Sequence, residues 1–162
     1  MIPGLNACNI TSADVNVPFD EDWYYRNMGE SCSIVKTLDL MDEFDPKDLK
    51  HTWPGLDDRI GNSFSASITG YLNIGPSAEY TFHITCKQTV SLFFDTATEP
   101  LMFVSGGGIH NATIHLDSGL HLMQLYINSF CPNPRLLVQY SSPSVGLPLT
   151  TINDMVTFVG GM

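Results

Sequence analysis

Positive charge is scarce in this sequence: 7 Lys plus Arg stand against 17 Asp plus Glu, for a net charge of −10. Such a field repels a phosphate backbone, so nucleic acid is not an expected partner. Long apolar runs are missing as well. No segment approaches the roughly 20 apolar residues that a helix needs to cross a bilayer, and no membrane span is expected. The opening MIPGLNACNITS has neither a charged leader region nor an apolar stretch, so no secretory signal is read there. Either a signal has been removed, which would suit the cell surface, or the chain never enters that route, which would suit an intracellular or viral assembly; the compartment stays open.

Catalytic motifs are equally thin. There is no GxSxG, and Ser105-Gly106-Gly107-Gly108 lacks the Lys and the following helix of a phosphate loop. Of the five histidines (His51, His83, His110, His115 and His121), His110 and His115 differ by an odd number and fall on opposite faces of a strand. No metal site, no cofactor and no catalytic residues are expected, and the chain is not read as an enzyme. Four cysteines, Cys8, Cys32, Cys86 and Cys131, are widely spaced with no CxxC, which argues against structural zinc. Pairing in sequential order, Cys8 with Cys32 and Cys86 with Cys131, would suit an oxidising compartment. Buried thiols fit the sequence equally well. Two glycosylation triplets occur, at Asn9-Ile10-Thr11 and Asn111-Ala112-Thr113, and matter only if the chain is secreted.

What the sequence does have is alternation. From Phe64 to Asp95 apolar residues fall on every second position: Phe64, Ala66, Ile68, then Tyr80, Phe82, Ile84, then Val90, Leu92, Phe94. A period of two marks strands with one buried face. Short turns between them predict an antiparallel meander, so the fold class is all-β, an antiparallel β-sandwich. Strands are expected at about 63–72, 79–86, 90–95, 101–104, 111–117, 119–129 and 135–141. In Gly119–Phe130, His121, Met123, Leu125 and Ile127 would face one side and Leu120, Leu122, Gln124 and Tyr126 the other, as in a central or covered strand.

The flanks read differently. Residues 1–62 are poor in periodicity and hold 12 of the 17 carboxylates; they are expected to form an irregular segment wrapping the main strands of 63–142. One helical turn near 42–49 and a short edge strand at 51–54 are expected within it. Residues 143–162 are apolar but broken by Gly146 and Pro148, either a closing strand or an arm that packs on another subunit. Aromatic residues off the inward pattern or in loops, Trp23, Tyr24, Tyr25, Tyr71 and Phe93, together with Phe158 in the tail, are the candidate binding residues.

Several of these stretches together resemble the protective-antigen domain family (the PA-fourteen β-sandwich). They are Pro3-Gly4-Leu5, Phe64-Ser65, Thr69-Gly70-Tyr71-Leu72, Tyr80-Thr81-Phe82, Leu92-Phe93-Phe94-Asp95, Ser118-Gly119-Leu120-His121, and Leu136, Val138 and Tyr140. The resemblance spans roughly 3–142 and implies a jelly-roll-like sandwich. It also implies that sugar-binding members hold calcium with two consecutive aspartates in the turn before the Leu92 strand. Aligned on Thr81 and Asp95, those positions carry Lys87 and Gln88 here. An ammonium and an amide do not replace two anionic donors to a hard cation. Asp57-Asp58, the consecutive aspartate pair in this chain, lies in another loop and is read as surface. The expected function is therefore a non-enzymatic interaction or structural module whose partners are other protein subunits; the alternative is a carbohydrate-binding adhesin or receptor domain with an altered calcium site.

Overall fold

The computed structural model describes residues 2–3, 5–11, 31–35, 37–41, 64–105, 107–129, 134–153 and 156–157. Their strands are β1 (Ile2–Pro3), β2 (Leu5–Thr11), β3 (Ser31–Val35), β4 (Asp39–Met41), β5 (Phe64–Ile74), β6 (Ala78–Cys86), β7 (Thr89–Phe94), β8 (Met102–Val104), β9 (Gly108–Leu116), β10 (Gly119–Ser129), β11 (Arg135–Ser142), β12 (Leu147–Thr151) and β13 (Val156–Thr157). They form two antiparallel sheets. The larger runs β1-β13-β5-β10-β7-β8, with β2 pairing β5 and β3; the smaller runs β12-β11-β6-β9, with β4 also on β11. The all-β sandwich is as the alternation implies.

The inward residues of both sheets meet in one core. Strict alternation in β6 and β7 places Tyr80, Phe82, Ile84, Val90, Leu92 and Phe94 in the interior, against Ile68, Met123, Leu125, Ile127, Leu136 and Val138. Each such side chain contributes on the order of 1.5–3 kcal/mol on burial. Phe82 sits at the centre of an aromatic run, its ring 4.7 Å from Phe94 and 5.9 Å from Tyr140. β10 is central, paired on one side with β5 and on the other with β7, and its second apolar parity lies on the outside of the larger sheet.

The expected meander does not form. β5 and β7 belong to the larger sheet while β6 belongs to the smaller, so consecutive strands are stacked across the core instead of hydrogen-bonded side by side. Alternation specifies which face is buried, not which strand lies alongside. A short connection can cross the ~10 Å between packed sheets as readily as it can close a hairpin.

Strands also occur where irregular chain is expected, at β1 to β4. The segment LNACNIT of β2 carries little β-branched or aromatic alternation, and its pairing with β5 over Asn6↔Thr69 to Thr11↔Phe64 comes from the neighbour. The expected helical turn near 42–49, the edge strand at 51–54 and the pair Asp57-Asp58 lie outside the described residues. In the C-terminal stretch, β12 pairs with β11, Ile152 is buried, and β13 pairs with β1 and β5.

The sandwich has two ends. Turns 75–77, 95–101, 117–118 and 143–146 cluster at one, here the upper end; Lys87-Gln88, Ser105 and Gly107 lie at the other, the lower end, as the pairings Ala78↔Leu116, Gly119↔Ile74 and Cys86↔Gly108 require.

Candidate functional site

At the lower end, Lys87 and Gln88 form the corner by which β6 leaves the smaller sheet and β7 enters the larger. Lys87 is exposed, whereas Gln88 is only 3 % exposed. The Gln88 Oε1 accepts from the backbone N–H of Lys87 at 3.1 Å and of Arg135 at 3.2 Å. Its backbone carbonyl accepts from the Cys86 thiol at 3.3 Å. That carbonyl-type oxygen is committed to two amides, and an ammonium stands beside it. The donor set does not fit calcium, which takes six to eight oxygen ligands, about two or more of them anionic in tight sites. The Gln88 Nε2 is buried without a hydrogen-bond partner among the described residues. Gly107 approaches the corner from below: its φ is +82°, and a Cβ there would lie 3.4 Å from the Cys86 carbonyl oxygen.

The upper end holds a small polar cluster. Asp95 caps the β7 turn, its Oδ1 accepting from the Leu122 N–H at 3.0 Å and its Oδ2 lying 2.6 Å from His121 Nδ1. The other ring nitrogen of His121 lies 2.6 Å from the Asp117 carbonyl oxygen. Partial burial alone would lower the His121 pKa, but the Asp95 and Asp117 contacts outweigh it and raise it above the ordinary value. Close by, a cavity of about 220 Å³ is lined by Asn73, Pro76, Tyr80, Tyr140, Val145 and Leu147. It is smaller than the ~300–1,000 Å³ typical of ligand pockets. Burial, then the neighbouring Tyr80, pushes the Tyr140 pKa up, so the Tyr140 phenol stays a neutral hydrogen-bonding group there. Among the described residues no three His, Cys, Asp or Glu side chains converge as a metal site.

The outer face of the larger sheet is the apolar surface. Phe103, Ser91 and Tyr126 lie in one row across β8, β7 and β10, and Phe93 packs edge-on against Tyr126 with ring centroids 5.6 Å apart. Phe103 is 65 % exposed and Tyr126 46 %. Farther up the same face lie Leu120 and the cross-strand pair Leu122↔Tyr71. Tyr71 and Phe93, chosen from the sequence, thus share this face. Phe103, Tyr126 and Leu120 were not chosen; their signal was position, each on the polar parity of its strand.

The remaining sequence candidates are scattered. Cys8 and Cys32 occupy directly opposed register positions in the β2–β3 pair, a separation within the Cα range that a disulfide spans. Cys86 is buried. Asn9 opposes Ser31 on β3, and Asn111 is exposed in the middle of β9. Trp23, Tyr24, Tyr25, Phe158 and Cys131 lie outside the described residues. No helix among the described residues is long and apolar enough to cross a membrane.

No family model matches this sequence, and no curated protein matches it. Solved structures do. A PA14 sugar-binding domain from an RTX adhesin is similar with a TM-score of 0.71 at 11 % identity, over 97 % of this chain and 99 % of that one. The Epithelial Adhesin 9 A domain from Candida glabrata, solved in complex with Galb1-4GlcNAc, is similar with a TM-score of 0.65 at 12 % identity, over 98 % and 91 %. An anti-sigma factor domain-containing protein from Clostridium clariflavum gives a TM-score of 0.68 at 18 % identity over 99 % of this chain, which spans 49 % of that protein's length. At these identities the likeness is one of fold. The chain has the PA14-like β-sandwich fold.

Proposed function

We propose that this domain is a non-enzymatic protein-interaction module, a building block of a larger assembly that engages other subunits through the outer face of its larger sheet. The observation that carries this reading is the aromatic cluster of Phe103, Phe93 and Tyr126, on the same sheet face as Leu120, Leu122 and Tyr71. Aromatic side chains supply large contact area and dominate interface energetics, and contiguous exposed apolar surface marks interaction sites. The Gln88 corner supports the same reading, since its oxygen is spent on the chain's own amides.

A photo-crosslinking amino acid placed at Phe103 or Tyr126, in cells that make the protein, tests it. Discrete protein adducts are expected from both positions and not from Thr85 on the opposite sheet. Adducts from Thr85 alone, or from none of the three, would overturn the reading.

Carbohydrate binding with an altered site is a second reading. It is favoured by the fold shared with a sugar-binding domain and with an adhesin solved with a glycan, and by the Gln88 Nε2 donor that no described residue satisfies. A glycan array read with and without calcium decides between them. Binding would displace the protein-interaction reading.

A further inference from the structure

The edge strand β9 is a second surface without a partner among the described residues, and it is a hydrogen-bonding one. β9 runs nine residues, Gly108–Leu116, and pairs with β6 along its whole length, from Ala78↔Leu116 to Cys86↔Gly108. No described residue pairs with its other edge. Alternate N–H and C=O groups therefore face outward, a template for another strand.

Proteins protect such edges with charge, proline, bulges or brevity. Two other edges show these devices: β8 is three residues long, and β12 carries Pro148 while its partner β11 has a register shift between Tyr140 and Ser142. The β3 edge, SCSIV, is bare as well but only five residues long. β9, GIHNATIHL, has no Lys, Arg, Asp, Glu or Pro. Ile109 on it is 73 % exposed, and Ala112 and Ile114 are only partly buried against the core.

The geometry points to β9 as a self-association strand, pairing antiparallel with β9 of a second copy of this chain. This rests on the reading of the domain as an assembly module and names a surface distinct from the aromatic face. A two-fold axis at Ala112 sets Asn111 opposite Thr113, Ile109 opposite His115 and His110 opposite Ile114 of the second copy. The Asn–Thr pairs extend the polar ladder that β9 already makes with β6, where Thr113 and Thr81 share a hydrogen bond of 2.9 Å. No carboxylate meets another across the axis, because Asp117 falls beyond the paired stretch, opposite Gly107. Such an interface is isologous and closed, and it joins the two smaller sheets into one. Two glycans on the axis-flanking Asn111 residues would crowd each other, so pairing and occupancy of that triplet exclude one another.

Sedimentation velocity on the full, unglycosylated chain across a concentration series tests the inference. The wild type is expected to shift from monomer to dimer, and more salt to favour the dimer by screening the net charge of −10. The N111K/T113K variant sets lysines directly opposite each other twice, and should weaken the dimer at least about tenfold. Its far-UV circular dichroism should match the wild type. If that variant fails to fold, N111K alone, with concentration-dependent amide-exchange protection in β9, carries the test. A wild type that stays monomeric overturns the inference, whether or not the crosslinking at Phe103 succeeds. A dimer that survives N111K/T113K but is lost in F93S/Y126S overturns it too, while leaving the aromatic-face reading intact.

Discussion

His121 is held through both ring nitrogens by groups with no proton to give, the Asp95 carboxylate and the Asp117 carbonyl oxygen. Two acceptors at hydrogen-bond distance are best met by two N–H donors, so this setting favours the imidazolium over the neutral ring. The folded-state pKa is correspondingly raised. A raised pKa means the folded state holds the proton more tightly than the unfolded one. The stabilisation is then complete below the unfolded value, about 6.5, and is lost as pH climbs through the folded value. Asp95 is half exposed, which limits the effect to about 1 kcal/mol or less. Thermal melts should fall by about 2–4 °C between mildly acid and mildly alkaline buffer, and His121→Gln should flatten that slope. An unchanged slope in the variant would show that another group is responsible. The Asp95 position was legible as part of a strand-ending motif. Its partner, 26 residues away, was not, because no local pattern links the end of β7 to the start of β10.

Among elements, the corner between β6 and β7 shows both what alternation reveals and what it hides. The strands at 79–86, 90–95 and 119–129 were readable to within a residue or so, and so was their buried side, because both follow from side-chain period. Sheet membership was not readable, because it depends on which distant strand supplies the hydrogen bonds. Gln88 belongs to this second class. In sequence it reads as a lost metal ligand; in the fold it is a buried clasp joining the corner to the start of β11. Gln88→Leu would strip the acceptor from the Arg135 N–H and leave the Lys87 N–H to its longer bond with the Arg135 carbonyl oxygen at 3.3 Å. An unsatisfied buried donor costs about 1–3 kcal/mol, so the variant should lose about 1–3 kcal/mol in denaturant unfolding. A loss below the error of the measurement would mean that water reaches those amides.

For the molecule as a whole, composition bears on net charge but does not choose among partners. The acidic balance spoke against nucleic acid, yet the aromatic face and the bare edge both arise from residues placed side by side by the topology. Phe93, Phe103 and Tyr126 are spread over 34 positions of chain and become neighbours only when β7, β8 and β10 align. Calcium supplies a global readout of the Gln88 corner. A ligand present at a hundred times its Kd would add about 2.7 kcal/mol to stability. Melting curves in millimolar calcium and in chelator should superimpose; a clear rise with calcium would restore the ion-dependent sugar reading.

The alternation of β5, β6 and β7 between layers bears on how the chain reaches this state. Neither layer can be completed by contiguous sequence, since the strand that both β5 and β7 need, β10, ends only at Ser129. A ribosome emitting this polypeptide therefore exposes two strands, FSASITGYLNI and TVSLFF, until the late strand emerges. Non-local pairing of this kind is slow, and the waiting interval is where a chaperone would find its client.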